Sequence, residues 1–140
     1  METLYKTKAT ATGGRDGHAA SADGSLDVKL TAPTELGGPG GEGTNPEQLF
    51  ACGYSACFLG AMQFVAGQEG LKVPPDTKIT ADVSLGKRDD GQGFGIAVDL
   101  SVELPGIDPE QGQMLVDKAH VVCPYSYATK GNVEVTTTLV

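Results

Sequence analysis

The chain has 140 residues and a formal net charge of −8, with ten Lys/Arg against eighteen Asp/Glu and no Trp, so nucleic acid would be repelled rather than gathered. A composition of 39% hydrophobic and 20% charged residues suits one globular domain spanning residues 1–140 and excludes disorder throughout. Three cysteines are too few, and odd in number, for a disulfide scaffold, so they read as free thiols, metal ligands or redox groups in a reducing compartment.

The first residues, Met1 to Lys6, alternate polar and apolar character and lack the basic-then-apolar layout of a signal peptide. Alternation continues from Leu4 to Thr12 and returns in Leu26 to Leu30 after the turn dipeptide Asp23-Gly24, which predicts a meander of two or three strands. From Thr31 to Thr44 the chain is rich in Pro and Gly, and the Gly37–Gly43 stretch reads as a lid or a crossover. A helix start follows in Thr44-Asn45-Pro46-Glu47-Gln48. Asn45 suits the N-cap, Pro46 the first helical position and Gln48 the third, while Thr44 with Glu47 offers a competing capping box.

That helix is expected to run to about Ala66 or Gly67. It is apolar nearly all round, which predicts burial on most sides. A chain this small cannot surround such a helix, so a second chain is expected to help. Gly, Gln and Glu interrupt the apolar segment, so no membrane span is expected and a cytoplasmic location is the default. Ile79 to Leu85 and Ile96 to Leu104 alternate on either side of an Asp/Gly-rich turn from Arg88 to Gly93, the pattern of a long antiparallel hairpin. Asp108-Pro109-Glu110-Gln111 opens a shorter helix to about Val122, Pro124 ends it, and Asn132 to Leu139 forms a last Val/Thr-rich strand. The order βββ-α-ββ-α-β is α+β, with helices set against antiparallel sheet.

Cys57 lies in the long helix and Cys123 at the end of the second. Two such thiols pair only if their Cα atoms come within about 6 Å, which spacing does not establish. Cys52 is five residues from Cys57, about 140° around a helix, and reads as packing. A reactive thiol needs a neighbouring cation to hold it as thiolate. Arg15, on the glycine-framed turn Gly13-Gly14-Arg15-Asp16-Gly17, is the candidate, although a solvated turn arginine is the bland alternative. Glu47 is equally explained by the helix dipole. His18 reads as decorating the turn near Arg15. His120-Val121-Val122-Cys123 lacks a second paired ligand motif, so no metal site is expected.

Asn45-Pro46-Glu47-Gln48-Leu49-Phe50-Ala51, Gly53-Tyr54-Ser55-Ala56-Cys57-Phe58, Cys123-Pro124-Tyr125-Ser126 and Gly14-Arg15-Asp16-Gly17 together resemble the organic hydroperoxide resistance (Ohr) branch of the OsmC/Ohr family. The resemblance covers essentially the whole chain. It implies a thiol-dependent peroxidase that reduces alkyl and lipid hydroperoxides to alcohols in defence against peroxide stress. Cys57 would be peroxidatic and Cys123 resolving, with Arg15 and Glu47 serving the thiolate. A Cys57 sulfenic acid would precede a Cys57–Cys123 disulfide, and a dithiol such as dihydrolipoamide or a lipoylated protein would reduce it, with no metal or bound cofactor. Cys52 matches no functional position of the family and replaces a small residue expected there.

The resemblance also implies an intertwined homodimer whose antiparallel sheets wrap long central helices. Glu47 and Cys57 are ten residues apart in one helix, about 15 Å along its axis, so Arg15 and Glu47 of one subunit are expected to serve Cys57 of the other. The apolar neighbours Phe50, Tyr54, Phe58, Met62 and Phe64 are the expected substrate pocket, favouring organic peroxides over hydrogen peroxide. Two rivals share the fold: the sister OsmC-like subfamily, and a non-catalytic redox sensor or small-ligand binder. Neither a helix-turn-helix nor a basic patch supports a DNA-binding regulator.

Overall fold

Short strands and glycine turns build the first part of the chain. The computed structural model describes all residues from Met1 to Val140, and packing divides them into two units, Met1–Leu49 and Phe50–Val140. In the first unit, β1 (Ala9–Thr12), β2 (His18–Ser21) and β3 (Asp27–Lys29) form an antiparallel sheet in the order β1-β2-β3. β1 is shorter than the alternation from Leu4 suggests, because its partner β2 has only four residues to offer, from Thr12 opposite His18 to Ala9 opposite Ser21. The Thr31–Thr44 segment contains one 3-10 turn, Thr34–Leu36, and folds back on itself: the Gly40 N–H donates to the Ala32 carbonyl at 3.1 Å. A Cβ at Gly38 would lie 2.3 Å from that carbonyl oxygen, so only glycine fits.

Helix α1 (Pro46–Gln68) begins as its cap residues dictate. The Asn45 side chain accepts from the Gln48 backbone N–H at 2.9 Å. Thr44 does not compete for the cap; its hydroxyl donates to the Gln48 side chain at 2.8 Å. At the far end Gly70, at φ +69°, turns the chain, and the Leu71 N–H donates back to the Ala66 carbonyl at 2.8 Å. The helix buries one stripe, Tyr54, Phe58, Ala61, Met62, Val65 and Ala66, rather than most of its surface. Beside that stripe Ala51, Cys52, Ser55, Ala56 and Leu59 line an open groove with Ile79 and Ala81. By length and composition alone α1 would suffice to cross a membrane, a test that buried core helices also pass. Its buried stripe is nonetheless core, packed with Val98, Leu100, Leu115 and Val116.

The second unit is completed by β4 (Lys78–Lys87) and β5 (Phe94–Glu103), paired antiparallel over ten residues as the hairpin pattern requires. β6 (Glu134–Leu139) then joins β5 in parallel, so this sheet is mixed rather than wholly antiparallel. A parallel partner needs a long crossover. Here it is formed by α2 (Pro109–Val122) and α3 (Pro124–Thr129). Sequence reading takes Pro124 as a terminator only, yet proline is also favoured at the first position of a helix. Cys123, in extended conformation, closes α2 and opens α3.

The α2 cap is local and separable from the rest. The Asp108 carboxylate accepts from the backbone N–H groups of Glu110 and Gln111 at 3.1 and 3.2 Å. Asp108→Ala should cost about 1 kcal/mol of stability, read as a lower urea midpoint with an unchanged slope.

Candidate functional site

The second unit brings two cysteines together. Cys57 projects from α1 and Cys123 sits at the α2–α3 junction, with their sulfur atoms 3.6 Å apart and both thiols free. Cys123 is fully buried and Cys57 partly so. Burial is the main influence on Cys57 and pushes its pKa up; the Cys123 thiol beside it acts in the same direction. The opposing influence is hydrogen bonding from the Tyr125 backbone, in the first turn of α3. Left to these neighbours, Cys57 is held as the thiol at neutral pH.

The first unit brings Arg15 and Glu47 together. The guanidinium donates through Nη1 to Oε2 at 2.6 Å and through Nη2 to Oε1 at 2.7 Å, a bidentate pair. Arg15 rides on a 3-10 turn, Gly14–Asp16, whose entry uses Gly13 and Gly14 at φ +73° and +61°. Gly17 closes the turn so tightly that a Cβ there would lie 1.8 Å from the Thr12 carbonyl oxygen. The Asp16 carboxylate accepts the Ala32 backbone N–H at 2.9 Å and pins the turn. Glu47 stands in the first turn of α1. Its carboxyl is held below the usual range chiefly by the Arg15 hydrogen bonds, against the effect of burial, and Arg15 is raised in return by Glu47.

Of the expected pocket residues, Tyr54, Phe58 and Met62 have no exposed surface and form the core of the second unit. Phe50 is half-buried, edge-on to Tyr54 at 5.9 Å and beside Tyr125 at 5.8 Å. Phe64 is 58% exposed. Cys52 is exposed, so in this chain it is not a packing residue; it faces the groove rather than the stripe. His18 lies on β2 against Asp27, not on the Arg15 turn.

Sequence reasoning gave His120 only a possible metal role. Its ring nitrogens instead meet two hydroxyls: Nδ1 lies 3.0 Å from Ser126 Oγ and Nε2 2.8 Å from Thr137 Oγ1. Ser126 Oγ in turn lies 2.9 Å from the Tyr54 hydroxyl. Burial lowers the His120 pKa, which favours the neutral ring. The missed signal is spacing: Tyr54 precedes Cys57 by three residues, and His120 and Ser126 flank Cys123 by three on either side, placing each within one helical turn of a thiol.

Residues 38–138 match the family described as OsmC-like protein. Over 138 residues the chain is 57% identical to an organic hydroperoxide resistance protein of Xanthomonas axonopodis pv. citri, covering 99% of this chain and 96% of that one. Among solved structures it is similar to the organic hydroperoxide resistance protein OhrB of Bacillus subtilis, with a TM-score of 0.89, 46% identity and coverage of 99% and 100% of the two chains. A second, from Legionella pneumophila, described as an organic hydroperoxide resistance protein, superposes with a TM-score of 0.92, 45% identity and coverage of 99% and 98%.

The Arg15–Glu47 pair has a definite pH signature. Because the folded carboxyl of Glu47 is depressed, its contribution is present above the unfolded value of about 4.3 and is lost as pH falls through the folded one. Amide hydrogen exchange at Arg15, Asp16 and Gly17, corrected for intrinsic rates, should therefore accelerate as pH falls below the ordinary carboxyl value of about 4.3. Glu47→Gln should show the accelerated exchange already at pH 7.

Proposed function

Because the chain belongs to the OsmC-like family, and within it to the organic hydroperoxide resistance proteins, we propose that it is a thiol-dependent peroxidase reducing organic hydroperoxides to alcohols. The observation that carries this reading is the pair of free sulfurs at 3.6 Å, one partly buried and one wholly enclosed. The Cys57 thiolate attacks an oxygen of ROOH. The O–O bond breaks, the alkoxide leaves and takes up a proton as ROH, and Cys57 becomes a sulfenic acid. The Cys123 sulfur then attacks Cys57, forming the disulfide and releasing water. An S–S bond is about 2.05 Å long, so closure asks the sulfurs to approach by about 1.5 Å. A dithiol donor, dihydrolipoamide or a lipoylated protein, returns both cysteines to thiols.

Burial opposes the thiolate that this chemistry needs. A guanidinium fixed by a carboxylate is suited to reverse that, since it stays charged at every working pH and keeps donors free for the sulfur and the peroxide oxygens. Arg15 with Glu47 fills this role in the proposal, acting on Cys57 of the partner subunit in a homodimer. The apolar face of α1 left uncovered by Ala51, Cys52, Ser55 and Leu59 supports such a partner. Phe50, beside Tyr125 and Tyr54, gives the peroxide's alkyl group an apolar wall backed by Phe58 and Met62. The reaction as written uses side chains and the external dithiol alone, which fits a reducing cytoplasmic setting.

A coupled assay with an organic hydroperoxide and dihydrolipoamide tests the reading, with hydrogen peroxide and thioredoxin as comparisons. Turnover should be fast with the organic peroxide and lipoyl dithiol, absent in Cys57→Ser, and limited to about one equivalent in Cys123→Ser. Arg15→Lys should lose about tenfold or more, since an ammonium cannot reproduce the planar fork. Full activity in Cys57→Ser would refute the scheme. Oxidation by one equivalent without turnover in the wild type would select a redox sensor on the same fold.

A further inference from the structure

Hydrogen-bonding side chains flank the two cysteines along the chain in a pattern that the peroxidase chemistry leaves unused. Tyr54 stands three residues before Cys57 on α1, while His120 and Ser126 stand three residues before and after Cys123. Their polar atoms form one chain: the Tyr54 hydroxyl to Ser126 Oγ at 2.9 Å, Ser126 Oγ to His120 Nδ1 at 3.0 Å, and His120 Nε2 to Thr137 Oγ1 at 2.8 Å. Tyr54 is fully buried and Ser126 6% exposed, so the bond between their hydroxyls has little access to water, while His120 and Thr137 are partly buried. A buried hydroxyl that loses its partner is costly, which gives the chain a preferred geometry.

The chain links α1 to α2, α3 and β6. Ser126 is the hub, touching Tyr54 from the helix that carries Cys57 and His120 from the helix that ends in Cys123. A neutral histidine offers one donor and one acceptor, and each neighbouring hydroxyl can play either part. The His120 ring also packs on Phe58, centroids 4.6 Å apart, immediately after Cys57. The segment bearing Cys123 is thus fastened to the turn bearing Cys57 on both sides of the resolving thiol.

We propose that the Tyr54–Ser126–His120–Thr137 hydrogen-bond chain is a positioning device that holds Cys123 against Cys57 and so sets how readily the intramolecular disulfide closes. These are positioning residues, since they act through the placement of the sulfurs. The idea rests on the reading of Cys57 and Cys123 as a redox pair, but its first test does not require peroxidase activity. Disulfide formation from the two thiols by oxidised glutathione yields one S–S bond and two reduced glutathiones, and its equilibrium constant is the effective concentration of Cys123 toward Cys57.

Ser126→Ala and Tyr54→Phe each delete one hydroxyl with little change in shape, and His120→Gln removes the ring. In glutathione redox buffers, Tyr54→Phe, which loses the bond to Ser126, should lower the effective concentration about tenfold, and Ser126→Ala, which loses the bonds to both Tyr54 and His120, at least as much. Asp108→Ala, which removes the cap at the end of α2 far from Cys123, destabilises the fold without that loss. After a pulse of organic hydroperoxide, the first two variants should consume the first equivalent within about twofold of the wild-type rate while diverting more Cys57 to sulfinic acid. Unchanged effective concentrations in Ser126→Ala, Tyr54→Phe and His120→Gln would overturn the proposal, as would an equal fall in Asp108→Ala. A wild type that closes its disulfide in glutathione yet ignores peroxide would sink the peroxidase reading alone.

Discussion

The stripe of α1 made by Tyr54, Phe58, Met62 and Val65 is the constraint on which the thiol pair depends. These side chains are almost wholly buried against Val98, Leu100 and Val102 of β5 and Leu115 and Val116 of α2, and full burial of a large apolar side chain is worth about 1.5–3 kcal/mol. Once that stripe is seated, the rotation of α1 is set, and so is the direction of Cys57. The same core seats α2, whose last turn delivers Cys123. Two residues 66 apart in sequence thereby meet at 3.6 Å.

Seating a thiol in such a place has an electrostatic consequence. Exclusion of water favours the protonated form of Cys57, whereas the peroxidase chemistry proposed for it calls for the thiolate. The counterweight in the proposed reaction is the Arg15–Glu47 pair, built on a turn where a Cβ at Gly13 or Gly17 would run into backbone. Glu47 orders the guanidinium and consumes two of its donors, leaving the others for a sulfur or a peroxide. In the proposed peroxidase reaction the labour divides on physical lines: packing brings the two sulfurs close, and a preorganised cation would supply charge for the attack.

Local features were legible in the sequence because local chemistry decides them. Asn45 and Asp108 cap their helices where the residue pattern places them, and the β4–β5 hairpin follows its alternation closely. What depended on distant partners was not legible. The parallel direction of β6 leaves no trace in its own Val/Thr pattern, because alternation is the same whichever way a strand runs. β1 is cut short by the length of β2, and α3 hides behind a proline that also serves as a terminator. Arg15, Glu47, Cys57 and Cys123 stand out as candidates by residue type and position, but their roles and pairing come from the family likeness, since spacing alone does not pair them. Ser126 and His120 escaped because their importance lies in hydrogen bonds across 72 and 17 residues, to Tyr54 and Thr137.

The central claim is that Cys57 and Cys123 form a peroxide-driven disulfide inside one chain. The most direct measurement is intact mass and non-reducing peptide mapping after one equivalent of an organic hydroperoxide, with iodoacetamide capping the remaining thiols. The account predicts a single Cys57–Cys123 linkage and one carbamidomethyl group, on Cys52. A fully alkylated chain, or a disulfide joining Cys52 to either of the others, would contradict it.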